Sequence, residues 1–288
     1  MSEQRARRFA LSTALGFGKR GYFIPYRYAE QVEAVKPKGP HPAAEALFQA
    51  MEPVFGAVLD AAADYRDDLA RLAGARPPAP RWSQDWFPRL DALAAYTMVR
   101  AARPRRIIEI GSGHSTRFIA QALKDDGHGA EMTAIDPEPR AAIDELGIRL
   151  IRKPMQSVPL KEFAALEAGD MLVVDSSHIL MPGSDVDVVL NRILPMLPRG
   201  VLVHFHDIFL PDGYPQSWAW RGYNEQPAVA ALLFTGGYKP LFASRYVATR
   251  MTGRVQNGIA GGLPLLEGAY ESSLWLEKLV DAAVAPPE

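Results

Sequence analysis

Short apolar runs alternate with helix-like segments through the second half of the chain. The runs that predict strands are, in order, Arg106–Ile110, Glu131–Ile135, Ile148–Ile151, Asp170–Val174, Gly200–Phe205, Tyr238–Phe242 and Arg245–Arg250. The segments between them that have helical spacing are Thr116–Leu123, Arg140–Leu146, Leu160–Glu167, Val186–Leu197 and Glu225–Phe234. Since strands buried on both faces read as continuous apolar runs, this alternation predicts an α/β fold with a doubly wound, mostly parallel sheet.

Residues 1–103 have a different pattern. Ten of the 24 prolines lie between Pro25 and Pro104, and the Ala- and Leu-rich segments Ala43–Ala73 and Asp91–Ala102 predict helices that are separated by proline-rich loops. We therefore expect a helical N-terminal extension or cap over 1–103, a ligand-binding core over 104–252 and a C-terminal tail over 253–288. Within the tail, Leu263–Val280 predicts an amphipathic helix.

The composition is that of an ordinary folded protein and narrows the function. Hydrophobic residues make up 48% of the chain and charged residues 23%. The 32 Lys and Arg balance 33 Asp and Glu, whereas a protein that grips nucleic acid has a basic excess. Without cysteine, the chain has no thiolate metal site and no cysteine nucleophile. No apolar run is long enough to cross a bilayer, and Lys19 and Arg20 stand where a signal peptide would be cleaved, so we expect a cytoplasmic protein.

Glycines and acidic residues follow the predicted strands. The loop Gly111–Ser115 follows the first strand, and Asp136, Asp175 and Asp207 follow three later ones. In doubly wound sheets, ligands bind beyond the carboxyl ends of the strands, so these residues should meet at one rim. The loop has Thr116 where a nicotinamide fingerprint has glycine, it lacks the Gly-Lys of a P-loop, and alone it is compatible with a simple tight turn. Asp136 stands where an acidic side chain can accept hydrogen bonds from ribose hydroxyls.

Four segments together resemble the class I S-adenosylmethionine-dependent methyltransferases, most of all their small-molecule O-methyltransferase branch. They are RRIIEIGSGHSTRFIA, TAIDPEP, GDMLVVDSSH and RGVLVHFHDIFLP, in this order along the chain. The resemblance covers about residues 90–250, and Ser115 replaces the last glycine of the family's first motif. It implies a seven-stranded Rossmann-like sheet and S-adenosylmethionine as the cofactor.

The resemblance also implies which residues contact that cofactor. Glu109 and the backbone of Gly111–Gly113 would face its methionine part, Asp136 would hold the ribose, and Gln156 and Ser157 would lie near the adenine. The full set of expected cofactor contacts is Glu109, Gly111, Ser112, Gly113, His114, Ser115, Asp136, Gln156, Ser157, Asp175 and Ser176.

Methylation of a hydroxyl requires a base or a metal ion that helps to remove the proton. Asp175 and Asp207 could share a divalent cation such as Mg²⁺. Metal-dependent relatives have asparagine where this chain has Ile208, so His206 or a water would complete the metal site formed by Asp175, His206 and Asp207. His178 stands near the position of a lysine base in those relatives and could act as a base itself. The catalytic candidates are His178, His206 and Asp207, and metal-independent transfer with a histidine base stays open as the alternative.

The remaining expectations concern an aromatic loop, the residues Glu225 and His204, and the partners of the protein. An aromatic loop at Tyr214–Tyr223 predicts a lid or a substrate wall, Glu225 caps the next helix or reaches the site, and His204 is expected to be structural. We expect a small-molecule substrate of unspecified identity as the partner, and neither a nucleic acid nor a membrane span. Whether the chain forms a homo-oligomer is left open. A non-catalytic S-adenosylmethionine-binding accessory protein is a further alternative. An oxidoreductase and a metal-dependent hydrolase built on His-Phe-His-Asp fit the motifs less well.

Overall fold

The computed structural model describes residues 2–35, 39–72, 76–139 and 143–285. The strands are β1 Arg106–Ile110, β2 Glu131–Ile135, β3 Arg149–Ile151, β4 Met171–Val174, β5 Leu202–Phe205, β6 Tyr238–Ala243 and β7 Leu274–Lys278. The helices are α1 Glu3–Ala14, α2 Ala29–Val35, α3 Pro42–Ala50, α4 Glu52–Ala61, α5 Arg66–Arg71, α6 Arg89–Ala102, α7 His114–Asp126, α8 Lys161–Ala164, α9 Asp185–Val188, α10 Gln226–Phe234, α11 Ser244–Arg250 and α12 Thr252–Asn257.

The strands form one seven-stranded sheet in the order β3-β2-β1-β4-β5-β7-β6. Strands β1 to β5 are parallel, and β7 runs antiparallel to both of its neighbours. All four residues of β4 are buried, as expected for a central strand that is covered on both faces. The prediction of a doubly wound, mostly parallel seven-stranded sheet is confirmed.

The strand order reverses between β1 and β4, and this reversal creates the binding crevice. After β1 the chain adds β2 and β3 on one side, and it then returns to add β4 and β5 on the other. The loops that leave β1 and β4 therefore diverge above the sheet. Such a switch point is where doubly wound sheets bind their ligands.

Two sequence predictions near the C-terminus are wrong. The segment predicted as a helix over Leu263–Val280 contains β7, because its side chains at Leu274–Leu276 are fully buried between β5 and β6. The predicted strand at Arg245–Arg250 is helix α11, which buries Tyr246 and Val247 side by side. The Tyr246 ring lies 5.7 Å from the ring of Phe48 in α3, so this helix supports the N-terminal layer.

Helix α6 joins the N-terminal region to the sheet. Each residue from Leu90 to Val99 is buried, and the helix packs along α7. The N-terminal extension predicted over 1–103 thus includes a core helix at its end. The predicted helix Arg140–Leu146 begins outside the described residues, and its described part is a 3₁₀ turn at Asp144–Leu146.

The first helix lies beside the aromatic loop. Helix α1 contacts the 3₁₀ segment Gln216–Arg221, which places the N-terminus on the same side of the sheet as the strand ends. Within the described part of the chain, no single helix is long and apolar enough to span a membrane. Among the described helices, only the bent pair Pro42–Ala50 and Glu52–Arg71, taken together, has the length and composition of a span.

Candidate active site

A cavity of about 750 Å³ opens at the carboxyl ends of β1, β2, β4 and β5. Of the predicted cofactor contacts, it is lined by Gly111, Ser112, Gly113, His114, Ser115, Asp136, Gln156, Asp175 and Ser176. The three catalytic candidates His178, His206 and Asp207 line the same cavity. Glu109 and Ser157 are absent from its wall. The structure therefore brings the glycine loop and the strand-end acids together, as the motif order predicts.

Gly111 allows β1 and β4 to approach closely at the base of the glycine loop. Its backbone has a φ of +90°, and a Cβ built there would lie 1.8 Å from the carbonyl oxygen of Asp175. A Cβ at Gly113, in contrast, would meet no atom within 4 Å. The first glycine is thus required by the fold, and the second leaves open space at the start of α7.

We expect Gly111→Ala to destabilise the protein severely, by about 3 kcal/mol or more, because the methyl group overlaps backbone and the φ is unfavourable. Gly113→Ala is the matched control, and its melting temperature should stay close to that of the wild type. Thermal unfolding of both variants, followed by circular dichroism, measures the difference. Equal melting temperatures for the two variants would contradict this account of the loop.

Glu109 supports the glycine loop from below. Its side chain is fully buried, and its Oε1 accepts a hydrogen bond of 2.6 Å from Ser115 Oγ. Burial raises the pKa of Glu109 to about 8, although Ser115 and Thr116 favour the charged form. The expected contact of Glu109 with the methionine part of the cofactor stays a prediction, because Ser115 binds Oε1 while Oε2 is buried without a hydrogen-bond partner among the described residues.

Asp136 faces the cavity at the end of β2. Its Oδ2 accepts a 2.7 Å hydrogen bond from Ser112 Oγ, and its Oδ1 accepts one of 2.8 Å from the Glu138 backbone N–H. The second bond holds the carboxylate in a fixed orientation. The first joins it to a flexible hydroxyl that a ligand hydroxyl can replace.

His178 lies at the centre of a group of carboxylates. Its Nδ1 is 3.0 Å from Glu225 Oε2, and its Nε2 is 3.4 Å from both Asp175 Oδ1 and Asp207 Oδ2. The ring is buried, and the backbone adopts a left-handed φ of 59°. Glu225 therefore fixes one edge of the imidazole, while the other edge faces the strand ends.

His206, which directly follows β5, also faces several carboxylates. Its Nε2 is 3.3 Å from Asp91 Oδ2, and its Nδ1 is 3.5 Å from Asp175 Oδ1 and from Asp207 Oδ1. His204 is different, as expected for a structural residue. It lies outside the cavity, 2.9 Å from Ser273 Oγ, and burial lowers its pKa to about 3, so the ring is neutral.

The carboxylates keep both catalytic-candidate histidines protonated. Burial alone would lower the pKa of His178, but Asp175, Glu225 and Asp207 outweigh it and raise that pKa well above its ordinary range. Asp175 and Asp207 outweigh burial in the same way and raise the pKa of His206. Burial alone would raise the pKa of Asp175, but the charge of His206 and the hydrogen bond to His178 lower it. At neutral pH the centre therefore contains two imidazolium ions beside an ionised Asp175.

The predicted metal site at Asp175, His206 and Asp207 finds no support in this geometry. Among the residues that the structure describes, no group of three or more His, Asp or Glu side chains is placed to hold a metal ion. The side chains face one another as histidine–carboxylate pairs, at separations of 3.4 to 3.5 Å.

Several site residues escaped the sequence motifs. Asp91 accepts hydrogen bonds from the Ser272 and Ser273 backbone N–H groups as well as facing His206, and Ser272 Oγ donates to Asp207 Oδ1 at 3.2 Å. The one sign of Asp91 in the sequence is that it is an acidic residue in the otherwise apolar run Leu-Asp-Ala-Leu-Ala-Ala. Ser272 offers no comparable signal, since it precedes a strand that was predicted as helix.

One segment of the chain matches a protein-family model. Residues 108–208 match the model of a family described as a methyltransferase domain. This segment begins inside β1 and ends one residue after Asp207, so it includes all four strand ends that line the cavity.

Individual proteins and solved structures are similar to this chain at low sequence identity or over a short segment. An uncharacterized protein from Archaeoglobus fulgidus is 36% identical over 87 residues, which are 28% of this chain and 39% of that protein. The chain thus matches about two fifths of that relative's length. Among solved structures, the SAH-bound methyltransferase PaMTH1 of Podospora anserina is similar at 17% identity and a TM-score of 0.43, covering 90% of this chain and 99% of its own. The O-methyltransferase TomG of Streptomyces achromogenes, solved with SAM, has 17% identity and a TM-score of 0.40, covering 77% and 89%.

Proposed function

We propose that this chain is a class I S-adenosylmethionine-dependent methyltransferase and that it methylates a hydroxyl oxygen of a small molecule, which the match of residues 108–208 to a methyltransferase-domain family supports. The observation that supports this most strongly is the position of His178. It lies between Glu225 and two strand-end aspartates, in the same cavity as the glycine loop and Asp136.

The cavity suits a positively charged cofactor that contains ribose. Its wall carries six carboxylates, from Asp85, Asp136, Glu138, Asp175, Asp185 and Asp207. Burial lowers the pKa of His114 to about 4, and the charge of Arg117 adds to this effect. The His114 side chain in the cavity wall therefore carries no positive charge at neutral pH. The Asp136 carboxylate can accept hydrogen bonds from ribose hydroxyls once Ser112 rotates away, and the open space at Gly113 leaves room beside α7.

The chain's own residues then have to remove the acceptor's proton. When bound, S-adenosylmethionine supplies the electrophilic methyl group, so that the oxygen–carbon bond forms as the sulfur–carbon bond breaks. We assign the base to the neutral form of His178, with Glu225 holding the ring through Nδ1. Because carboxylates raise the pKa of His178, that form is scarce at neutral pH. Positive charge bound beside Asp175 would weaken the field that retains the proton and would lower the pKa of His178.

The proposal predicts a pH profile. We expect kcat/KM to rise as the pH increases from about 6 to 9, because His178 must lose a proton whose pKa lies above the ordinary histidine range. The measurement is transfer of labelled methyl from S-adenosylmethionine to a panel of phenolic and aliphatic hydroxyl compounds. A rate that falls as the pH increases would contradict the assignment of His178 as the base.

The same assay separates the alternatives. Activity that survives EDTA would support metal-independent transfer. Activity that EDTA abolishes and Mg²⁺ restores would return Asp175, His206 and Asp207 to the role of metal ligands. Tight binding of S-adenosylmethionine without methyl transfer to any acceptor would favour an accessory protein and would overturn the proposed function.

A further inference from the structure

Arg221 lines the cavity and has an unusual environment for a charged group. It is the last residue of the aromatic 3₁₀ segment Gln216–Arg221, and its guanidinium carbon lies 3.9 Å from the centroid of the Trp218 ring. The rings of Trp220 and Tyr223 also lie within cation–π distance, each 5.4 Å from the same carbon. Three aromatic rings therefore surround this cation in the cavity wall.

One edge of the guanidinium is free of protein partners. Nη1 donates a 3.1 Å hydrogen bond to Tyr223 Oη, whereas Nε is buried without any hydrogen-bond partner. Within the described ranges, Arg221 forms no salt bridge, and the Nε–Nη2 edge makes no hydrogen bond. A buried donor without a partner is costly, and this edge is the fork that binds a carboxylate through two parallel hydrogen bonds.

Tyr223 sets the separation between this cation and the reaction centre. Its ring centroid is 4.6 Å from that of His178, and its hydroxyl contacts Arg221. A single tyrosine therefore bridges Arg221 and the imidazole of His178. Trp218 and Tyr270, which pack edge to face at 5.6 Å, complete an aromatic wall along the same side of the cavity.

We propose that Arg221 selects acceptors that carry a carboxylate about one aromatic ring away from the hydroxyl that is methylated. The carboxylate would occupy the Nε–Nη2 edge, and a flat acceptor would lie along the aromatic wall. The wall carries six carboxylates, and its two imidazolium ions already face carboxylates, so an anionic group is favoured at Arg221 over the rest of the wall and one orientation is favoured. This inference rests on the proposed function for the identity of the reacting hydroxyl, but the anion site itself does not depend on turnover.

The test is a binding measurement on the full chain with S-adenosylhomocysteine present. Calorimetry compares 4-hydroxybenzoate and 3-(4-hydroxyphenyl)propionate with their neutral amides. The wild type should bind at least one carboxylate about 10- to 100-fold more tightly than its amide. In Arg221→Gln this ratio should fall close to one, while Arg221→Lys, which keeps the charge and loses the fork, should retain part of it.

Arg254→Gln is the matched control. Arg254 pairs with Asp60 on the surface and does not line the cavity, so the same exchange there should leave the carboxylate-to-amide ratio at the wild-type value. A wild type without preference for any carboxylate would overturn the inference, as would a preference that survives in Arg221→Gln. Methyl transfer to neutral hydroxyl compounds alone would overturn the carboxylate assignment and leave the proposed function standing. Carboxylate preference without methyl transfer would do the reverse.

Discussion

Replacing His178 with asparagine should lower kcat by about 10²- to 10⁴-fold, the usual contribution of a positioned general base. Asparagine is the appropriate substitution because it tolerates the left-handed backbone that this position requires, so the loop conformation is retained. The affinity for S-adenosylhomocysteine should change little, since no residue that holds the ribose is altered. Single-turnover methyl transfer and calorimetry, on the same preparation, measure the two quantities.

Glu225→Gln provides the graded comparison for that variant. The amide oxygen can still accept the Nδ1–H of His178, so the ring keeps its orientation, but a negative charge is lost 3.0 Å away. Because that charge helps to raise the pKa of His178, the pH profile of this variant should shift towards lower pH, with a smaller loss of rate than in His178→Asn. If His178→Asn retained the wild-type kcat, the base would have to be another group.

Replacing Asp136 with alanine should weaken the binding of S-adenosylmethionine by about 10- to 100-fold, because hydrogen bonds to a charged acceptor contribute roughly 1.5 to 3 kcal/mol. Ser112→Ala is the control, since it leaves the carboxylate intact and removes the hydroxyl that competes for Oδ2. Its affinity should equal or slightly exceed that of the wild type. Isothermal titration calorimetry measures both constants.

A second substitution keeps that result interpretable. Asp136→Ala also removes the acceptor of the Glu138 N–H, and the turn after β2 could change shape. Asp136→Asn preserves a side-chain oxygen for that bond and should still bind the cofactor several-fold more weakly, because the charge is gone. Wild-type affinity in both variants would remove Asp136 from the ribose site.

The sequence was most informative where structure is decided locally. Strands β1, β2, β4 and β5 are continuous apolar runs that end in glycine or aspartate, so both their existence and the meeting of their ends could be predicted. The glycine loop alone was compatible with a simple tight turn, and the structure shows why its first glycine is needed, since the close contact of Gly111 with the Asp175 carbonyl admits no side chain.

Long-range pairing could not be predicted in the same way. The local pattern of Leu263–Val280 predicted a helix. Residues Leu274–Leu276 within it form a strand because β5 and β6 offer two hydrogen-bonding edges. The same applies to the site. Asp91 reaches His206 across 115 positions of sequence, and Glu225 reaches His178 across 47. No local pattern specifies such partners, although each helps to raise the pKa of the histidine that it faces.

The most direct test of the central claim is a crystal structure of the full chain with S-adenosylhomocysteine. We expect the ribose hydroxyls to contact Asp136 and the sulfur to face the space between Asp175 and His178. A ligand seated in another cavity, or with its ribose away from Asp136, would contradict the claim that these strand ends form one methyl-transfer site.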